Sequence, residues 1–285
     1  MKNSMKFLLF LLITSDTIVF SQETKPFISD RLVKKWATPQ ELKVPESACF
    51  DPQHNLIFVS NIVGESGAKD HIGFISEITP DGKIKTLEWI TGLNAPKGIG
   101  VYGNMLYVSD IDRVVGIDID KSKIVKTWDI PNAKFLNDIA VSKEGTVYVS
   151  DMQDNAVYQI QDGKLSLLVK SDKLNGPNGL YAENGYVLAG LQDRVIKIDP
   201  TTKKITDFIT NTGPIDGLAP EGNGNYLISD WQGHVYEAYP GKDKTLLLDT
   251  TPDKMNAADI SHVIGEKMLL VPTFSDNRVV AYTLK

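Results

Sequence analysis

The sequence predicts an all-β fold, a six-bladed β-propeller of four-stranded blades. Three observations carry that prediction. A short phrase recurs along the chain at intervals of about 40 residues, the length of one propeller blade. Its near copies are Val59-Ser60-Asn61, Val108-Ser109-Asp110, Val149-Ser150-Asp151 and Ile228-Ser229-Asp230, with worn copies at Leu188-Ala189-Gly190 and Val271-Pro272-Thr273. Each phrase closes an apolar, strand-like run, and each repeat divides into four such runs. Finally, the two ends of the chain carry complementary parts of one blade, one strand and three.

Residues 1–21 read as a secretory signal peptide. Lys2 and Lys6 precede an apolar run from Phe7 to Ile13, and Val19 and Ser21 fit a small-residue cleavage site. The run is too short for a membrane span, which needs about 20 apolar residues. A periplasmic or secreted protein is therefore expected, with residues 22–285 forming a single propeller domain. Arg31 to Trp36 is a strand with no partner beside it in sequence. The third repeat shows the blade pattern most clearly. Its strands are expected at Ile139 to Ser142, Thr146 to Asp151, Ala156 to Gln161 and Leu165 to Val169, joined by turns such as Gln161-Asp162-Gly163. The first repeat carries a longer glycine-rich loop, Val63 to His71. It reads either as a tolerated insertion or as a flap over the axial mouth. The sixth repeat has only three strands, so the strand at Arg31 to Trp36 is expected to supply the fourth and close the ring. Closure of that kind protects an open edge.

The formal charge is -6 over 285 residues. Removing residues 1–21 takes away two lysines and one aspartate and leaves -7. A mildly acidic, mixed surface does not suit nucleic acid, which calls for a basic face. Cys49 is the only cysteine, so no intramolecular disulfide forms, and its apolar strand marks it as a buried, inert thiol. A monomer is expected.

In a propeller the first strand of every blade lines the central channel. Aligning the repeats by their phrase gives the residues that open these strands: Glu46, Lys97, Asn137, Asn178, Asp216 and Asp259. All six are polar, and most offer oxygen. Hard oxygen donors without Cys or His select Ca²⁺ or Mg²⁺ over zinc or copper. The same residues could instead solvate a water-filled channel and bond one another. Lys97 stands out among them. It reads as an ion-pair partner of Asp259 or as a handle for an anionic substrate. The Asp and Asn that end the phrases recur too often to serve one ligand, and read as acceptors for backbone N–H groups in neighbouring turns. Trp231 reads either as a residue of the mouth or as packing between blades.

The segments Pro45-Glu46-Ser47, Leu136-Asn137-Asp138, Pro177-Asn178-Gly179-Leu180 and Ile215-Asp216-Gly217 resemble the signature positions of the senescence marker protein/gluconolactonase (regucalcin-like) family. Membership would imply a six-bladed propeller with an axial divalent cation, typically calcium, with Mg²⁺ or Mn²⁺ as alternatives. The resemblance assigns Glu46, Asn178 and Asp216 as metal ligands. It makes Asn137 a substrate-facing residue and Asp216 the general base, with Asp138 as second choice. The implied reaction is hydrolysis of a small-molecule lactone or ester. Sugar lactonases of the family often carry Arg where this chain has Phe135, which argues for a less hydroxyl-rich substrate. Among the histidines only His71, on the long loop, is placed to reach a bound ligand; His54, His234 and His262 lie in strands or strand turns. Neither a Gly-x-Ser-x-Gly elbow nor a phosphate loop is present. The rival expectation is a non-catalytic binding propeller in which the axial metal is structural.

Overall fold

The computed structural model describes residues 25–285, so the expected signal peptide lies outside the described residues. Six antiparallel sheets follow one another along the chain. Blade 1 comprises Pro45–Asp51, Leu56–Asn61, Gly73–Ile78 and Ile84–Leu93. Blade 2 comprises Pro96–Tyr102, Met105–Asp110, Arg113–Asp118 and Lys123–Asp129. Blade 3 comprises Leu136–Val141, Val147–Asp151, Ala156–Gln161 and Lys164–Lys170. Blade 4 comprises Leu180–Glu183, Tyr186–Gly190, Arg194–Ile198 and Ile205–Thr210. Blade 5 comprises Leu218–Gly222, Asn225–Asp230, His234–Ala238 and Thr245–Asp249. Blade 6 comprises Ser261–Val263, Met268–Pro272 and Val279–Leu284, with Leu32–Ala37 as its fourth strand. The fold is the one the repeats predict. Among the described residues the only helices are three short 3₁₀ turns, and no helix is long and apolar enough to cross a membrane.

The ring closes where the sequence places the closure. Leu32 pairs with Leu284 and Ala37 with Val280. One detail departs from uniform four-stranded blades. Phe27–Ile28 adds a short fifth strand to the outer edge of blade 5, pairing with Asp249 and Leu248. The N-terminal segment therefore fastens two blades. Between its two strands Arg31 bonds Glu221 (2.9 Å) and Glu237 of blade 5.

Six hydrophobic clusters hold the wheel together, one at each interface between neighbouring blades. Leu106 and Val115 of blade 2 meet Phe58 and Ile75 of blade 1, and Leu270 and Ala281 of blade 6 meet Ile57 and Val59. Strands sandwiched this way are buried on both faces, which accounts for apolar runs such as Leu56-Ile57-Phe58-Val59.

Candidate functional site on the propeller axis

The inner strands do not run straight to the axis. In blades 1, 2 and 3 the register slips between Pro45 and Ala48, Pro96 and Ile99, and Leu136 and Ile139. Blades 4 and 5 bend alike. Gly190 N–H bonds Gly179 while its carbonyl takes Asn178 N–H, and Ser229 serves Asp216 and Gly217 in the same way. Two residues opposing one is a β-bulge, which re-aims side chains. The first bulge residues are Glu46, Lys97, Asn137, Asn178 and Asp216. The second are Ser47, Gly98, Asp138, Gly179 and Gly217.

The phrase Ser explains why this bulge repeats. Ser150 Oγ accepts from Asp138 N–H (2.9 Å) and donates to the Asn178 carbonyl of the next blade (2.9 Å). Ser229 likewise accepts from Gly217 N–H and donates to the Ala258 carbonyl. The phrase Asp and Asn bond backbone N–H groups, as expected. Asp110 holds Asn94 and Ala95, Asp151 holds Lys134 and Phe135, Asn61 holds Lys43, and Asp230 holds Gly233 and His234.

Glu46, Lys97, Asn137, Asn178 and Asp216 line one cavity of about 440 Å³ at the upper mouth, together with Phe135. All five polar residues are buried. Asn178 Nδ2 donates to Asp216 Oδ1 at 2.5 Å. Burial pushes the Asp216 carboxyl up to about 7, reinforced by Asp259. Burial also holds Glu46 well above the usual carboxylate range, with Asp259 and Asp216 adding to it and Lys97 opposing.

Asp259 does not belong to this ring. The Ser229 bond to Ala258 marks Ala258 as the blade 6 equivalent of Asn178 and Asn137, one residue before the position read from the sequence. The degenerate Val271-Pro272-Thr273 phrase shifts that alignment. Asp259 sits instead with Asp138 on a second cavity of about 270 Å³ further along the inner strands. The two carboxyls lie close enough to perturb each other's ionisation. Ser47 Oγ donates to Asp259 (2.6 Å), and Leu180 and Ile139 N–H groups donate to Asp138 (2.5 and 2.6 Å). Neither therefore faces a ligand in the upper pocket. Burial raises both, Asp259 to about 6, and the Asp259 charge raises Asp138 further. Cys49 lines the same lower cavity and is half-buried rather than fully enclosed. Burial still lifts its thiol to about 12.

Lys97 makes no ion pair with Asp259. Its ammonium donates to the carbonyls of Ser66 (2.8 Å) and Ala95 (3.0 Å) and lies 4.3 Å from the centre of the Phe135 ring. Burial lowers it to about 8. Through Ser66 it ties the long loop to the axis, so that loop forms part of the pocket wall. His71 does not; it is exposed and lies outside the lining.

The upper rim carries a pattern that the sequence reading passes over. The residues that immediately follow the six phrases are Ile62, Ile111, Met152, Leu191, Trp231 and Phe274. Every one is apolar, and Ile62, Met152, Trp231 and Phe274 line the pocket. Trp231 is both a rim residue and a packing residue, meeting Phe274 edge-on at 5.5 Å.

The donor chemistry fits a hard divalent cation. Glu46 Oε2 and Asn137 Oδ1 are buried and have no hydrogen-bond partner, an expensive state for acceptors. Two carboxylates and two amides converge on the upper layer against a single ammonium. Among the described residues no three His, Cys, Asp or Glu side chains group as a metal site; the upper set reaches three donors only by counting amide oxygens, which calcium accepts.

No protein-family model matches the chain, and no curated protein matches it in sequence. Solved structures share its fold. A catalytically inactive variant of virginiamycin B lyase from Staphylococcus aureus, with quinupristin, superposes with a TM-score of 0.62 at 15% identity, covering 89% of this chain and 99% of that one. A chain of a nidogen/laminin complex gives 0.61 at 17% identity, covering 73% and 83%. The WD40 β-propeller domain of Doa1 gives 0.62 at 12%, covering 84% and 78%. At such identities the likeness concerns architecture alone.

Proposed function

We propose that the chain is a divalent-cation-dependent hydrolase of the gluconolactonase-like type, opening a lactone or ester in the upper axial pocket. The observation that carries this reading is the pair of unpartnered buried acceptors, Glu46 Oε2 and Asn137 Oδ1, in a cavity shared with Asn178 and Asp216. Glu46, Asn178 and Asp216 would hold the cation, calcium by preference and Mg²⁺ or Mn²⁺ otherwise. The chemistry such a cation supplies is polarisation of a carbonyl oxygen and local positive charge.

The side chains do the rest. Asp216 accepts a proton from the attacking water as its oxygen bonds to the carbonyl carbon. Asn137, which can both donate and accept, orients that water or the carbonyl. The ring C–O bond then breaks, the leaving oxygen takes a proton back from Asp216, and a hydroxy acid departs. Phe135, Ile62 and Met152 keep bulk water from the reacting atoms.

Turnover of a lactone panel tests the reading. EDTA should abolish hydrolysis and added Ca²⁺ restore it, and Asp216→Ala should lower kcat by about 10²–10⁴-fold, the usual share of a general base. Calcium binding without hydrolysis of any lactone or ester would replace the hydrolase with a ligand-binding propeller. Turnover indifferent to both EDTA and Asp216→Ala would remove the axial site from the chemistry.

A further inference from the structure

We infer that the upper pocket selects a lactone or ester carrying an apolar alkyl substituent, with the carbonyl at the polar floor and the tail against Trp231 and Phe274; this rests on the hydrolase reading above. The pocket is divided by chemistry. Its floor is the first bulge layer, Glu46, Lys97, Asn137, Asn178 and Asp216, and its rim includes Ile62, Met152, Trp231 and Phe274 from the apolar positions that follow the phrases.

The aromatic part of that rim is held in place. Asn256, itself buried, donates from Nδ2 to the Trp231 carbonyl (2.9 Å) and accepts at Oδ1 from Ser275 N–H (3.2 Å). One amide thus pins the blade 5 and blade 6 loops together with their two rings in contact. Phe274 is held at a φ of 48°, a backbone conformation that bulky residues rarely adopt. It packs on the small cluster of Ile62, Ala95 and Ile111. Trp231 nevertheless keeps 49% of its surface open. A large ring fixed by its neighbours and left uncovered beside a cavity is the form of an apolar binding wall.

The polar groups around the wall are mostly committed. Ser66 gives its carbonyl to Lys97, and Asp230 is taken by His234 and its turn. Gln192, Gln232 and the Ser66 hydroxyl are the remaining polar side chains of the wall. A polyhydroxylated ring would leave hydroxyls unmatched against Trp231, Phe274, Met152 and Ile215, which costs binding. An alkyl tail there gains from every methylene it removes from water.

The test compares γ-butyrolactone, γ-hexalactone, γ-nonalactone and glucono-1,5-lactone on the full chain with calcium. Expected is a kcat/KM that rises about fourfold per added methylene, the equivalent of ~0.8 kcal/mol per buried CH₂, with glucono-1,5-lactone below γ-hexalactone. In Trp231→Ala, an exposed position whose loss leaves the core intact, the ratio of kcat/KM for γ-nonalactone to that for γ-butyrolactone should fall toward one. Binding is read separately by tryptophan fluorescence in Asp216→Asn, where γ-nonalactone should quench emission and γ-butyrolactone should not. Turnover that is flat with tail length, or best on glucono-1,5-lactone, overturns this inference and leaves the hydrolase standing. No turnover of any lactone, with tail-dependent quenching that disappears in the Trp231→Ala background, overturns the hydrolase and keeps the apolar wall.

Discussion

Two layers of side chains meet on the axis of this propeller, one residue apart in sequence, and they are built for opposite ends. The upper layer is Glu46, Lys97, Asn137, Asn178 and Asp216. It opens on a cavity and leaves Glu46 Oε2 and Asn137 Oδ1 without partners. The lower layer is Ser47, Gly98, Asp138, Gly179, Gly217 and Asp259. Here Asp259 is bonded to Ser47 and Asp138 to backbone N–H groups, and the glycines lie against the next blade. A repeated bulge makes both layers from consecutive residues, so one backbone device supplies the pocket floor and its support. Unsatisfied polar atoms mark the first, and satisfied side chains or bare glycines mark the second.

The largest expected effect separates the layers by stability. A Cβ on Gly217 would collide with the Ile260 backbone nitrogen, and one on Gly98 would lie 2.5 Å from Asp138 Cα. Both contacts are with backbone, which cannot step aside. Gly217→Ala should therefore cost at least ~3 kcal/mol, the upper range for overpacking, and lower Tm by roughly 6–12 °C at 2–4 °C per kcal/mol. Asn137→Ala, its counterpart in the upper layer, should leave Tm within a few degrees while turnover falls. Thermal melts of the two variants beside wild type decide it. Equal losses would mean that the layers share the structural load.

The second expected effect concerns what neutralises each layer. A cation that binds only the folded protein stabilises it by about 2.7 kcal/mol at a hundredfold excess over Kd. Calcium should accordingly raise Tm by roughly 5–10 °C, and EDTA should reverse the shift. Glu46→Gln and Asp216→Asn should lose most of that response. Asp259→Asn should keep it, because Asp259 stands in the lower layer. A calcium response lost in Asp259→Asn and retained in Glu46→Gln would move the cation site down one layer.

Much of this architecture is legible in the chain because packing writes it periodically. The phrase Ser must reach the neighbouring blade and the phrase Asp must hold a turn, so both recur. The orphan strand at Arg31 to Trp36 is legible because a missing strand leaves a count that does not close. Phe27–Ile28 is too short to carry a pattern. The place of Asp259 is hidden because Pro272 stands where four of the other five phrases carry Ser, and the blade 6 phrase is too altered to mark its bulge. The partners of Lys97 are carbonyls, which every residue has, so no sequence reveals them. The apolar rim is readable, one place after each phrase, but only once the phrases are seen to end at the mouth.

The smallest effect is a pH dependence that belongs to the lower layer. Burial is the main reason that Asp138 and Asp259 are raised, Asp259 to about 6. An acid whose pKa is higher in the folded state binds its proton more tightly there than in the unfolded chain. Its contribution to stability is complete below the unfolded value, about 4. It is lost as pH rises through the folded value, and is constant above it. Stability should thus decline between pH ~4 and ~6 by an amount on the order of 2 kcal/mol. The raised carboxyls of Glu46 and Asp216 would add to the slope in metal-free protein, so the measurement belongs in saturating calcium, where their charge is compensated. In Asp259→Asn the amide can donate to Asp138 and accept from Ser47 without titrating. Urea unfolding at pH ~4.5 and pH ~7.5, near and beyond the ends of that window, should show a smaller difference in this variant than in wild type. An unchanged difference would mean that the lower pair carries its proton across the whole range, and that the slope arises in the upper layer.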